Sequence, residues 1–80
     1  MILTKEEKVW VKKVNALMNK CPSERLGFYT IGDPVVGIYD RTHQDEIDDE
    51  GGDLIDIIHR EGWDAIEEIN FPSSVQGVCG

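Results

Sequence analysis

The chain has little that would tie it to a metal, a membrane or the cell exterior. Its eighty residues include only two cysteines, Cys21 and Cys79, with no close Cys-x-x-Cys or Cys/His spacing. Small secreted domains rely on denser disulfide frameworks, so two free thiols in a reducing compartment are expected. Apolar runs never approach the ~20 residues that a membrane span requires. Met1-Ile2-Leu3 passes straight into Thr4-Lys5-Glu6-Glu7, without the apolar stretch of a signal peptide. Cations are scarce where acids are dense. Residues 41–80 hold two basic groups, Arg41 and Arg60, against eleven acids, whereas residues 1–40 hold six against five. The net charge of −8 therefore divides into +1 and −9. Phosphate contacts need cations, which argues against direct nucleic-acid binding through the second half and against an anionic membrane surface.

What remains is enough for one small core, since 40% of residues are hydrophobic and 8% aromatic. Thr4 with Glu7 three residues on forms a capping box. Trp10, Val14, Leu17 and Cys21 then recur at helical spacing, widened by Val11 and Met18, and predict a helix from Lys5 to Lys20 that ends before Pro22. Its outer face carries Lys5, Lys8, Lys12 and Lys13. Leu26–Ile31 and Val35–Tyr39 read as a hairpin across the turn Gly32-Asp33-Pro34. Gly27 and Gly37 flank it as marks of bulges or close backbone approach. Alternation places Leu26 and Phe28 on one face and Tyr29 and Ile31 on the other. Thr42 with Asp45 resembles the start of a short helix that Gly51-Gly52 ends or breaks, although a single broken helix from Thr42 to Arg60 fits as well. Asp53 can cap a further helix with the stripe Leu54, Ile57 and Ile58, closed by Gly62. Residues 63–71 fit either a helix or a strand; Pro72 and the short length favour a strand near Ile66–Phe71. The expectation is a small single α+β domain over residues 1–72, in the order α-β-β-α-β. Its sheet is mostly antiparallel with helices packed on it, and a tail follows at 73–80.

Sites for chemistry are sparse. With Gly51 at position six of a calcium loop, Glu46, Asp48 and Glu50 fall at one, three and five, but position twelve is Ile57, where a bidentate carboxylate is needed. Asp56 and His59 have the spacing for two metal ligands, without a third of matching spacing. Neither Ser23 nor Ser73-Ser74 lies in the setting of a nucleophile. The glycines are too scattered to build a phosphate-binding loop. No enzyme activity, metal or cofactor is expected.

The stretch Cys21-Pro22-Ser23-Glu24-Arg25-Leu26-Gly27-Phe28-Tyr29-Thr30-Ile31-Gly32-Asp33-Pro34, followed by Tyr39-Asp40 and by Phe71-Pro72-Ser73-Ser74-Val75, resembles small accessory proteins of lambda-like phages and their prophages. The likeness spans most of the chain and carries no catalytic residue. It implies a bacterial cytoplasm during phage growth or lysogeny.

Asp40, Asp45, Glu46, Asp48, Asp49, Glu50, Asp53 and Asp56 put eight acids in one segment. The leading expectation is a protein-interaction module in which this segment meets a basic surface on a host or phage protein. In a sharper version the carboxylates imitate DNA, because seven acids from Asp45 to Asp56 on a helix would rise about 2.6 Å apiece, against ~3.4 Å per phosphate of one strand. The alternative is a structural homodimer or assembly subunit using the hairpin face of Tyr29, Ile31, Val35 and Tyr39, unless Leu54, Ile57 and Ile58 cover that face within one chain. Nucleic-acid binding through the lysines of the first helix ranks last, since Glu6 and Glu7 interleave them.

Overall fold

Thr4 and Glu7 close the capping box on which the first helix starts. The Glu7 amide donates to Thr4 Oγ1 at 3.2 Å, and the Thr4 amide donates to Glu7 Oε1 at 2.7 Å. The computed structural model describes residues 1–77. Helix α1 runs Lys5–Asn19, strand β1 Leu26–Tyr29 and strand β2 Val35–Asp40. A 3-10 turn at Arg41–His43 leads into α2, Gln44–Glu50, then α3, Leu54–Glu61, and β3, Asp64–Asn70. The order is α-β-β-α-β, with the second helical unit in two pieces, and the strands form one antiparallel sheet in the order β1-β2-β3. Residues 73–77 carry no helix or strand. The rest of the expected tail, with Cys79, lies outside the described residues.

The second helical unit breaks where the glycines stand. Gly51 closes α2 at φ 69°, a left-handed geometry that a Cβ would disfavour. Asp53 restarts the helix by accepting the Ile55 amide at 3.2 Å, and Gly62 closes α3. The entry to α2 differs from the expected Thr42 start. Asp40 caps the 3-10 turn, its Oδ1 accepting from the Thr42 amide at 3.0 Å and the Thr42 hydroxyl at 2.6 Å. Thr42 is thus the donor in a cap built two residues earlier, and the N-cap residue preceding α2, His43, makes no capping bond with its side chain.

Residues 26–29 pair with 40–37, which sets Gly27 opposite Tyr39 and Tyr29 opposite Gly37. The two tyrosines lie across the two glycines. A Cβ on Gly27 would fall 2.6 Å from the Tyr39 ring, and one on Gly37 would fall 2.6 Å from the Tyr29 hydroxyl. Close approach, rather than a bulge in the hairpin, explains both glycines. A bulge does occur, but between β2 and β3, where the register shifts between Gly37 and Tyr39. There β3 carries extra residues opposite Ile38, so the strand begins at Asp64, earlier than the expected Ile66, and ends at Asn70.

The core lies between the tyrosine face of the sheet and the pair α2–α3. Tyr39, Ile47, Ile57 and Ile58 are buried, with Tyr29, Leu54 and Trp63 packed against them. Full burial of an isoleucine contributes roughly 1.5–3 kcal/mol, so Ile57 and Ile58, at 2% and 0% exposure, anchor the domain. Helix α1 takes no part in this core: none of its residues is buried. The Cα radius of gyration is 15.1 Å, against about 12 Å for a compact chain of this length. The molecule is correspondingly long, 45 × 29 × 23 Å.

Candidate interaction surfaces

The helical period of α2 and α3 turns Ile47, Leu54, Ile57 and Ile58 inward and leaves the acids outside. Asp45, Glu46, Asp48, Asp49, Glu50, Asp53 and Asp56 are all exposed, and Asp40 is half-buried at the end of β2. The structure therefore gathers seven of the eight acids along one two-helix unit, with Asp40 at the strand end that leads into it, but they are not equivalent. Five have local duties. Asp40 and Asp53 cap the following turn and helix. Glu46 lies 3.0 Å from His43 Nδ1, and Asp48 accepts from Gln44 Nε2 at 2.9 Å. Glu50 takes both bonds of a bidentate pair from Arg60, at 2.6 and 2.8 Å, joining α2 to α3. Asp45, Asp49 and Asp56 are engaged by no hydrogen bond or ion pair among the described residues, and they form the free part of the acidic surface.

Electrostatics follow these contacts. Hydrogen bonding from the Thr42 hydroxyl, and then from its amide, holds the Asp40 carboxyl below the usual carboxylate range, with the charges of Arg25 and His43 acting in the same direction. The Glu50 and Glu61 carboxylates raise the already high pKa of Arg60. Among the described residues no group of three or more His, Cys, Asp or Glu side chains is placed to hold a metal ion. His59 Nδ1 meets Asp64 Oδ2 at 3.1 Å, across to β3, rather than joining Asp56.

The hairpin residues named for a dimer face are divided by the fold. Tyr39 is 8% exposed in the chain's own core, its hydroxyl donating to Gln44 Oε1 at 2.5 Å. Tyr29 packs beside it, the ring centroids 6.3 Å apart. Leu54, Ile57 and Ile58 take the partner role that a second chain would have filled, so Tyr39 is corrected from surface to core. Ile31 remains 69% exposed. Together with Tyr29, Val35, Gly37 and Glu68 it lines a shallow depression at the far end of the hairpin.

Two features carry no periodic signal in the sequence. His43 stacks on Trp63, centroids 4.0 Å apart and rings 3° from parallel, tying the start of α2 to the start of β3. Gln44 links the buried Tyr39 hydroxyl to the surface Asp48 through the two ends of its amide. The apolar stripe of α1 was visible in the sequence, but not that it stays open. Trp10 is 54% exposed, Leu17 72%, Met18 46% and Val11 37%. Among the described residues no helix is long and apolar enough to cross a membrane. No family model, curated protein or solved structure matches this chain.

Proposed function

We propose that this chain is a small, non-catalytic interaction module that presents the acidic segment 40–56 to a basic surface on another protein. The observation that carries the reading is the placement of that segment. Its carboxylates sit on the outer side of two short helices whose inner sides form the core, and Asp45, Asp49 and Asp56 have no hydrogen-bond or ion-pair partner among the described residues. Charges held this way raise the association rate with a cationic partner and discriminate against acidic ones. The resemblance to accessory proteins of lambda-like phages supports a host or phage protein in the bacterial cytoplasm as that partner. Within this reading a compact acidic patch is favoured over a linear DNA-like array, because Gly51 bends the path between α2 and α3.

The test is capture of a basic protein from host lysate, decreasing as salt rises. Reversing Asp45, Glu46, Asp48 and Asp49 to lysine should abolish the capture while the circular dichroism spectrum is retained. Capture by the reversed variant at the level of the natural chain would refute the reading.

A further inference from the structure

Among the described residues two apolar faces of the chain are left without a helix packed on them. One is the stripe of α1. The other is the face of the sheet turned away from α2 and α3. Pairing of Phe28 with Ile38 and of Val36 with Ile69 puts these four side chains on that face, with Leu26 at its end. Phe28 is 47% exposed, while Leu26, Val36, Ile38 and Ile69 are half-buried. Among the described residues α2 and α3 pack on the other face, and no residue of α1 is fully buried. A helix of fifteen residues is marginal in water on its own, and most helical stability in proteins comes from packing an amphipathic face.

We propose that α1 of one molecule lies on the open sheet face of a second copy, giving a reciprocal, helix-exchanged dimer. The exposed stripe fits. Trp10, with 54% of a side chain of roughly 150–250 Å² open, exposes on the order of 100 Å² on one side of α1, and Val11, Leu17 and Met18, at 37%, 72% and 46% exposure, extend it. A standard interface removes about 800 Å² per partner, a little over half of it apolar. Charge fits as well. Residues 1–20 carry five lysines and two glutamates, a net +3, while residues 21–80 carry three arginines and fourteen acids, a net −11. Helix α1 is thus the cationic part of an otherwise anionic molecule, and Glu67 borders the open face beside Ile69. Its stand-off position, seen in the large radius of gyration, leaves it free to reach a neighbour, as exchanged elements do. The inference is independent of the acidic-surface reading and survives its failure.

Sedimentation equilibrium up to about 200 µM, a range that detects even weak association, should give twice the chain mass of 9.0 kDa. Leu17→Glu spoils the helix stripe, and Phe28→Glu spoils the sheet face. Each alone should weaken dimerisation at least 100-fold with its circular dichroism otherwise retained. Mixed together they should recover a heterodimer, because the intact helix of one meets the intact sheet of the other. A monomer for the natural chain throughout this range overturns the proposal. So does undiminished dimerisation of Phe28→Glu, which would mean that two helices pair with each other instead. If either variant unfolds, Leu17→Ser and Phe28→Ser carry the same test.

Discussion

Gly37→Ala should destabilise the protein even though alanine is the better strand residue. The backbone does not stand in the way, because Gly37 is not among the glycines with positive φ. The obstacle is the Tyr29 ring, whose hydroxyl lies 2.6 Å from where the new Cβ would be. Displacing a packed ring by overfilling costs about 1–3 kcal/mol. Alanine returns about 0.4–1 kcal/mol by restricting the unfolded chain. The net loss is then roughly 1–2 kcal/mol, or a fall in Tm of about 5–15 °C for a domain of this size. The sign should reverse once the ring is gone. In a Tyr29→Val background, which keeps a strand-forming side chain, Gly37→Ala should stabilise by the same ~0.4–1 kcal/mol. Urea unfolding of the four proteins, followed by circular dichroism, gives the coupling directly. Equal effects of Gly37→Ala in both backgrounds would refute the assignment of the glycine to ring clearance.

Other substitutions separate the core from the open helix. Ile58→Ala, at a fully buried position, should cost about 2–4 kcal/mol by urea unfolding, a large share of the ~4–12 kcal/mol expected for eighty residues. Leu17→Ala should cost less than about 0.5 kcal/mol at concentrations where the chain is monomeric, and a loss as large as that of Ile58→Ala would mean that α1 is packed within its own chain. Asp40 should titrate below its ordinary value near 3.8. Because its folded pKa is depressed, its stabilising contribution is complete above the unfolded value and is lost as pH falls through the folded one. Thr42→Val removes the hydroxyl donor and should raise the Asp40 midpoint measured by NMR, which an unshifted midpoint would contradict.

The parts of the fold that could be read from sequence are those fixed by neighbours along the chain. Thr4 and Glu7 meet within one turn, Gly51 and Gly62 end helices through their own φ, and Asp53 reaches an amide two residues away. The inner stripe of α3 was readable for the same reason, since Leu54, Ile57 and Ile58 recur at helical spacing. Thr42 misled because its spacing to Asp45 imitates a cap, whereas Asp40 stands closer to the amide that needs an acceptor. The start of β3 at Asp64 depends on a shift of register against β2, which alternation cannot encode. Whether an apolar stripe is buried depends on where the helix goes, and the residues of α1 specify the stripe without specifying its cover. The acidic surface was legible as composition, but the division between carboxylates that cap or pair and those left free emerged only from the geometry around Arg60, His43 and Gln44.

The irregular third strand bears on how such an open molecule avoids aggregation. Because β2 is central, the sheet has two free edges, one on β1 and one on β3. Exposed, flat strand edges invite other strands to add to them, while short length, inward or flanking charges and bulges discourage it. The β1 edge is only four residues long. The β3 edge is kinked by its register shift and carries Asp64, Glu67 and Glu68. Runaway strand addition is therefore blocked at both ends of the sheet, leaving the faces as the routes by which this chain can meet another.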